Sequence, residues 1–130
     1  MNKKYEPTET ELAILKILWQ DGPNTVKAVH QHLSKQKKSG YTTTLKLMQI
    51  MHTKGLVTRD ESERQHVYAA AIEENRVKQG FIHKMMQNLY EGSASQMIMQ
   101  ILGSQQTSRQ ELEEIKHFIN KMEEGQQNGK

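Results

Sequence analysis

Thr42, Thr43, Lys46, Gln49 and Thr53 recur at spacings that put them along one side of a helix. The other side carries Thr44, Leu47, Met48 and Met51 at i, i+3, i+4 and i+7. Hydroxyls, an amide and an ammonium in that array do hydrogen-bonding chemistry rather than bond-breaking chemistry. The Gln49 amide can meet an adenine edge with two hydrogen bonds, and the Lys46 ammonium can meet a guanine edge or a phosphate. Short hydroxyls at the start of a helix, as at Thr42 and Thr43, suit phosphate oxygens. No acidic residue interrupts this side, which an anionic groove would repel. A helix surface bearing Thr and Gln is also what an ordinary solvated surface looks like, so its context decides.

Other constellations point away from catalysis. The six histidines are His30, His32, His52, His66, His83 and His117. His30 and His32 are two apart, and on a helix they point about 200° away from each other, so they do not chelate one ion. No His pair stands at i, i+3 or i+4 in the pattern of a zinc helix, and no metal site is expected. There is no cysteine, which excludes disulfides, thiolate metal sites and cysteine nucleophiles. There is no G-x-S-x-G and no Gly-rich phosphate loop. The carboxylates that cluster, such as Glu111, Glu113 and Glu114, sit together on a polar helix face. No cofactor, no catalytic residue and no enzyme activity are expected. Of the eight methionines, Met48 and Met51 read as core. Met85, Met86, Met97, Met99 and Met122 read as gap-filling residues of helix interfaces.

The elements that must position the Thr42–Gln49 array follow from capping signals and periodicity. Thr8-Glu9-Thr10-Glu11 is a capping box, and Leu12, Ile14, Leu15, Leu18 and Trp19 follow it until Gly22-Pro23, so a helix is expected over about 8–20. Asn24 or Thr25 caps a second helix with Val26, Val29 and Leu33 on one stripe, ending near Lys35 before the polar loop 36–40. A third helix opens at Tyr41-Thr42 and stops at Gly55. The period then becomes alternating. Leu56 to Arg59 and His66 to Ala70 read as the two strands of a hairpin around the charged turn 60–65.

From Glu73 the period is helical again. Val77, Phe81, Met85 and Leu89, with Ile82, Met86 and Tyr90, form a broad apolar face that ends at Glu91-Gly92. Ser93-x-x-Gln96 caps a short helix in which Met97, Ile98, Ile101 and Leu102 look buried, and residues 103–107 read as a loop. Ser108-x-x-Glu111 is another capping box, followed by Leu112, Ile115, Phe118, Ile119 and Met122; residues 125–130 read as a frayed polar tail.

Three short helices followed at once by a hairpin is the order of a winged helix-turn-helix, in which the third helix enters the major groove and the wing lies along the flanking backbone. The expected fold is mainly α with a small β-hairpin. Residues 1–72 would form a winged-helix DNA-binding domain, and residues 73–130 a helical dimerisation region. The charge agrees: residues 1–70 carry eleven Lys/Arg against seven Asp/Glu, a balance of +4, and residues 71–130 seven against eight, a balance of −1. Thr43, Lys46 and Gln49 are the expected base readers. Thr42, Lys27 and Arg64, the last at the wing tip, are the expected backbone contacts. The alternative is a winged-helix protein-interaction module with no DNA site of its own, to which Glu61 and Glu63 on the wing lend weight. No apolar run approaches the roughly 20 residues that span a bilayer. Met1 to Pro7 lacks the apolar core of a signal peptide. A cytoplasmic protein with no direct membrane association is expected.

Several of these segments together resemble the penicillinase-repressor family (BlaI/MecI/CopY-like). They are Glu11-Leu12-Ala13-Ile14-Leu15-Lys16-Ile17-Leu18-Trp19, Thr25-Val26-Lys27, Tyr41-Thr42-Thr43-Thr44-Leu45-Lys46-Leu47-Met48 and Lys54-Gly55-Leu56-Val57. The resemblance runs from about Glu9 to Met122. It implies a homodimeric winged-helix repressor that binds a dyad operator in double-stranded DNA and is held together by its C-terminal helices. Val77, Phe81, Met85, Leu89, Leu112, Ile115, Phe118 and Met122 are the expected dimerisation residues. The resemblance also implies release by proteolysis in the short C-terminal helix, in a pathway begun by a membrane sensor-protease; the matching bond here lies near Gln100–Ile101. Three departures stand out. The copper-responsive members carry a cysteine cluster that this chain lacks, Ile50 stands where family recognition helices often carry arginine, and the residues around Gln100–Ile101 differ from those at the family's cleavage position.

Overall fold

A computed structural model describes residues 6–35, 39–104 and 106–128. The order of elements is α1 (Glu9–Asp21), β1 (Asn24–Thr25), α2 (Val26–Leu33), α3 (Tyr41–Lys54), β2 (Val57–Asp60), β3 (Val67–Ala70), α4 (Glu74–Tyr90), α5 (Ala94–Ser104) and α6 (Arg109–Asn128). This is a winged helix-turn-helix followed by C-terminal helices. The chain divides into two compact units, Met1–Lys84 and Met85–Lys130.

The expected capping signals form as local chemistry dictates. At α1 the Thr8 hydroxyl accepts from the Glu11 N–H (3.2 Å) and Glu11 Oε1 accepts from the Thr8 N–H (2.9 Å). Gly22, at φ 83°, ends the helix and donates its N–H to the Leu18 carbonyl. Thr25 caps α2 by accepting from the Ala28 N–H. Gly55 closes α3 in the left-handed conformation (φ 86°), which a residue without Cβ adopts at no steric cost.

The core of the first unit gathers the apolar stripes of these helices. Ile14, Leu15 and Leu18 of α1 meet Val26, Val29 and Leu33 of α2, Met48 and Met51 of α3, and Val57 and Tyr68 of the sheet. The Trp19 indole N–H donates to the Ile72 carbonyl at 2.9 Å and so ties α1 to the segment entering α4.

Several expectations are corrected. The sheet has three antiparallel strands in the order β1-β3-β2, not two, because Asn24–Thr25 pairs with Tyr68 and Val67. An N-cap residue keeps extended dihedrals (Thr25 φ −82°, ψ 162°), so the two residues before α2 are already strand-like and can lie along β3. Val77 was expected at a dimer seam but is closed within the first unit's core, 1% exposed, and has no surface left for a partner. With it the first compact unit runs past residue 72 into α4. Helix α2 ends at Leu33, two residues short of Lys35. Of the expected loop 36–40, residues 36–38 lie outside the described residues. Helix α5 continues through Gly103 to Ser104, where the Ser104 hydroxyl donates to the Gln100 carbonyl, and residues 103 and 104 are therefore helical rather than loop. Helix α6 continues to Asn128 across most of the expected frayed tail; residues 129–130 lie outside the described residues.

In the second unit, the Ser108 hydroxyl and the Glu111 carboxylate form the expected reciprocal cap of α6 (3.0 and 3.2 Å). No described side chain of this unit is buried. Ile98 and Ile101, which looked buried in the sequence, are each half exposed in the single chain. Among the described residues no helix is long and apolar enough to cross a membrane.

Candidate nucleic-acid interface

Helix α3 is held with one face inward by Thr44, Met48 and Met51, all buried at i, i+4 and i+7. That orientation leaves Thr42, Thr43, Lys46 and Gln49 exposed. Thr53, which shares the face, turns its hydroxyl back to the Gln49 carbonyl (3.2 Å) and offers less of it outward. The N-cap of α3 is Gly40, which supplies no side-chain cap, and the first turn carries no acidic residue. The Thr43 N–H donates to the Gly40 carbonyl (3.1 Å), and the N–H groups of Tyr41 and Thr42, which have no partner among the described residues, are left to water or to an anion.

Two contacts fix α3 at its ends. Near the start, His30 of α2 shares a hydrogen bond with the buried Thr44 hydroxyl (Nδ1 to Oγ1, 3.0 Å) and meets the Tyr41 ring edge-on at 5.9 Å. At the end, Lys54 Nζ donates to Glu11 Oε2 at 2.7 Å. Glu11 is 2% exposed, so its carboxylate is desolvated and depends on Lys54 and on the Thr8 N–H. This pair binds the end of α3 to the start of α1. The capping box made Glu11 legible in the sequence, but nothing local pointed to Lys54 as its partner.

Between α2, α3 and the wing lies a cleft of about 450 Å³. Lys27 and Thr25 line it from the start of α2, Tyr41 and Gln49 from α3, and Arg64, Gln65 and His66 from the wing turn, with Tyr68 behind them. Of the six expected DNA contacts, Lys27, Gln49 and Arg64 are thus brought to one concave surface by three separate elements. Thr42, Thr43 and Lys46 stand on exposed α3 surface outside its walls. Tyr41, Thr25 and Gln65 were not singled out as contacts. Tyr41 reads as a helix-opening residue and Thr25 as a cap, and only the packing of α2 beside the wing turns them toward a common space.

The wing has an internal electrostatic pairing. Arg59 places Nε and Nη2 against Glu61 Oε2, each at 2.6 Å. Hydrogen bonds to the Tyr68 side chain and then to Glu61 hold the Arg59 guanidinium above its ordinary value. The same hydrogen bond from Arg59 holds the Glu61 carboxyl below the ordinary value of 4.5. The Ser62 backbone N–H does likewise for Asp60. The charge of Arg59 is therefore offset inside the wing, whereas Arg64 has no ion-pair partner among the described residues. His32 pairs with Asp21 at 2.9 Å, away from the cleft.

Of the expected dimerisation residues, Met85, Leu89, Leu112, Phe118 and Met122 are exposed in the second unit, Leu89 at 71%, and Ile115 is half-buried. Phe81 is exposed in the first unit. Gln100 and Ile101 lie on exposed turns of α5.

Comparison with known proteins adds an independent finding. The family model described as penicillinase repressor matches residues 7–121. The chain is 22% identical over 120 residues to the methicillin resistance regulatory protein MecI of Staphylococcus aureus, covering 92% of this chain and 98% of that protein. It is 23% identical over 119 residues to the penicillinase repressor of Bacillus licheniformis, covering 92% and 93%. It is 36% identical over 62 residues to the transcriptional regulator BlaI of Mycobacterium tuberculosis, covering 47% and 45%.

Proposed function

The chain belongs to the penicillinase-repressor family, is a DNA-binding transcriptional repressor and not an enzyme, and we propose that it acts as a homodimer on a palindromic operator. The observation that carries the reading is the convergence of Lys27, Gln49 and Arg64 on one cleft beside the exposed face of α3. In this reading Thr43, Lys46 and Gln49 address base edges in the major groove. Thr42, Lys27 and Arg64 hold the phosphate backbone. The uncapped start of α3 favours a phosphate there, since free N–H groups and the helix dipole both attract anions.

Dimerisation is supported by the apolar surface that the second unit leaves uncovered. Met85, Leu89, Phe118, Ile119 and Met122 are each at least 46% exposed, an arrangement that costs free energy unless a partner covers it. A second copy offers the same faces, and two joined half-site readers bind a dyad far more tightly than one. The proposed release step is cleavage at Gln100–Ile101, in a pathway begun by a membrane sensor-protease. The exposure of α5 and the turn at Glu91-Gly92 (φ 50° and 82°) support access to that bond.

The test is binding to a dyad fragment by fluorescence anisotropy across a salt series. Gln49→Ala is expected to lose about 1–3 kcal/mol per bidentate contact and to relax specificity at one base pair per half-site. Arg64→Ala is expected to weaken all sequences alike and to lower the salt slope by about one per contact. Unchanged affinity and specificity in both variants would refute the placement of α3 and the wing on DNA.

A further inference from the structure

A second concavity lies in the first unit between α1 and the first half of α4 and shares no lining residue with the cleft beside α3. It encloses about 390 Å³ and involves no residue of α3 or the wing. Its floor is Leu12 and Trp19 from α1 and Val77, Phe81 and Ile82 from α4. Phe81 and Ile82 are 37% and 54% exposed, so this apolar surface is not closed by the chain itself. The one polar atom that Trp19 could offer is already used, because its indole N–H donates to the Ile72 carbonyl. A molecule in the groove therefore meets an apolar floor and has to place its polar group at the rim.

The rim is cationic. Lys16 is exposed and has no ion pair among the described residues. Lys78 faces Glu74 only at 3.5 Å, with both side chains largely in water, a contact weak enough to be exchanged. Two ammonium groups and one carboxylate around an apolar floor complement a single negative charge on an apolar body. The volume is of the size that small molecules occupy.

We propose that this groove binds a small organic carboxylate, with its apolar body against Trp19, Phe81 and Ile82 and its carboxylate between Lys16 and Lys78. The site is distinct from the DNA-facing surface, so it stands or falls independently of the operator reading.

Trp19 is the single tryptophan of the chain, so tryptophan emission reports from the floor of this groove. The full-length protein, without DNA, is titrated with decanoate, octanoate and decanol. The expected result is a saturable change in Trp19 emission, with decanoate tighter than octanoate by about fourfold or more for two added methylenes in a half-open groove. Decanoate is also expected to bind about fivefold more tightly than decanol, and the double variant Lys16→Gln, Lys78→Gln to remove that difference while leaving decanol unchanged. No saturable change overturns the proposal. Equal affinity for decanoate and decanol in the unaltered protein also overturns it, since the groove would then be an apolar patch without anion recognition. A Trp19 emission that shifts on dilution, in step with dimer dissociation and without added ligand, overturns it in favour of coverage by a second copy.

Discussion

Glu61→Gln is expected to strengthen operator binding. In the free protein Arg59 is held by Glu61 through Nε and Nη2 at 2.6 Å, so its charge is spent inside the wing. The side chain of Glu61 is 52% exposed, and solvent screens so open a pair that it contributes little to stability. Losing it should barely change unfolding. A released Arg59 can instead neutralise a backbone phosphate. One added phosphate contact steepens the dependence of log affinity on log salt by about 0.9 per half-site, and so by about 1.8 for a dimer on its dyad. Raising salt fourfold should then cost the variant about tenfold more affinity than the unaltered protein, with its advantage largest at low salt. The assay is anisotropy of a labelled dyad fragment over a salt series, with urea unfolding alongside. The same substitution in an Arg59→Ala background should have much less effect. Affinity and slope unchanged in Glu61→Gln would refute the argument that the wing lies on the backbone. A gain that survives in the Arg59→Ala background would show that only the repulsion of Glu61 had been removed.

Other outcomes follow from burial and charge. Leu89→Glu, at a position 71% exposed, should leave the fold of the single chain intact and make the protein monomeric by sedimentation; a dimer of unchanged affinity would remove α4 from the interface. Met48→Ala empties a fully buried position beneath α3 and should destabilise the protein by about 2–5 kcal/mol in urea unfolding, with Met51→Ala similar. The Glu61 carboxyl lies below its ordinary 4.5 in the folded protein, so its pairing contributes in full above that value and is lost as pH falls through the lower folded value. The carboxyl resonances of Glu61 and Asp60 in an acid NMR titration should both show midpoints below those of the unfolded chain.

Much of this protein was legible without coordinates because the signals are local. A capping box closes over four residues, so Thr8 with Glu11 and Ser108 with Glu111 form wherever the helix forms. The stripe Thr44, Met48 and Met51 decides which side of α3 faces in, and with it which side is free for Thr42, Thr43, Lys46 and Gln49. Gly55 ends α3 because only a residue without Cβ takes its left-handed turn cheaply. Where local signals misled, an unread boundary was at fault. Gly103 reads as a break but lies on an exposed helix face, where its cost is only about 1 kcal/mol, and α5 continues through it.

Tertiary structure decided everything that depends on which distant segments meet. Thr25 carries a capping signal in the sequence, yet its place beside Val67 in a third strand depends on how α2 docks against the wing. Val77 has the same apolar character as Phe81 and Leu89 on the same helix. Only the packing of the start of α4 within the first unit puts Val77 in the core while Phe81, one turn on, stays in water. The Glu11–Lys54 pair and the cleft shared by Lys27, Gln49 and Arg64 join residues from separate elements. Periodicity and capping act within a turn or two of helix, and so they specify faces; the meeting of faces is a long-range choice made by burial, and it is there that the candidate site is assembled.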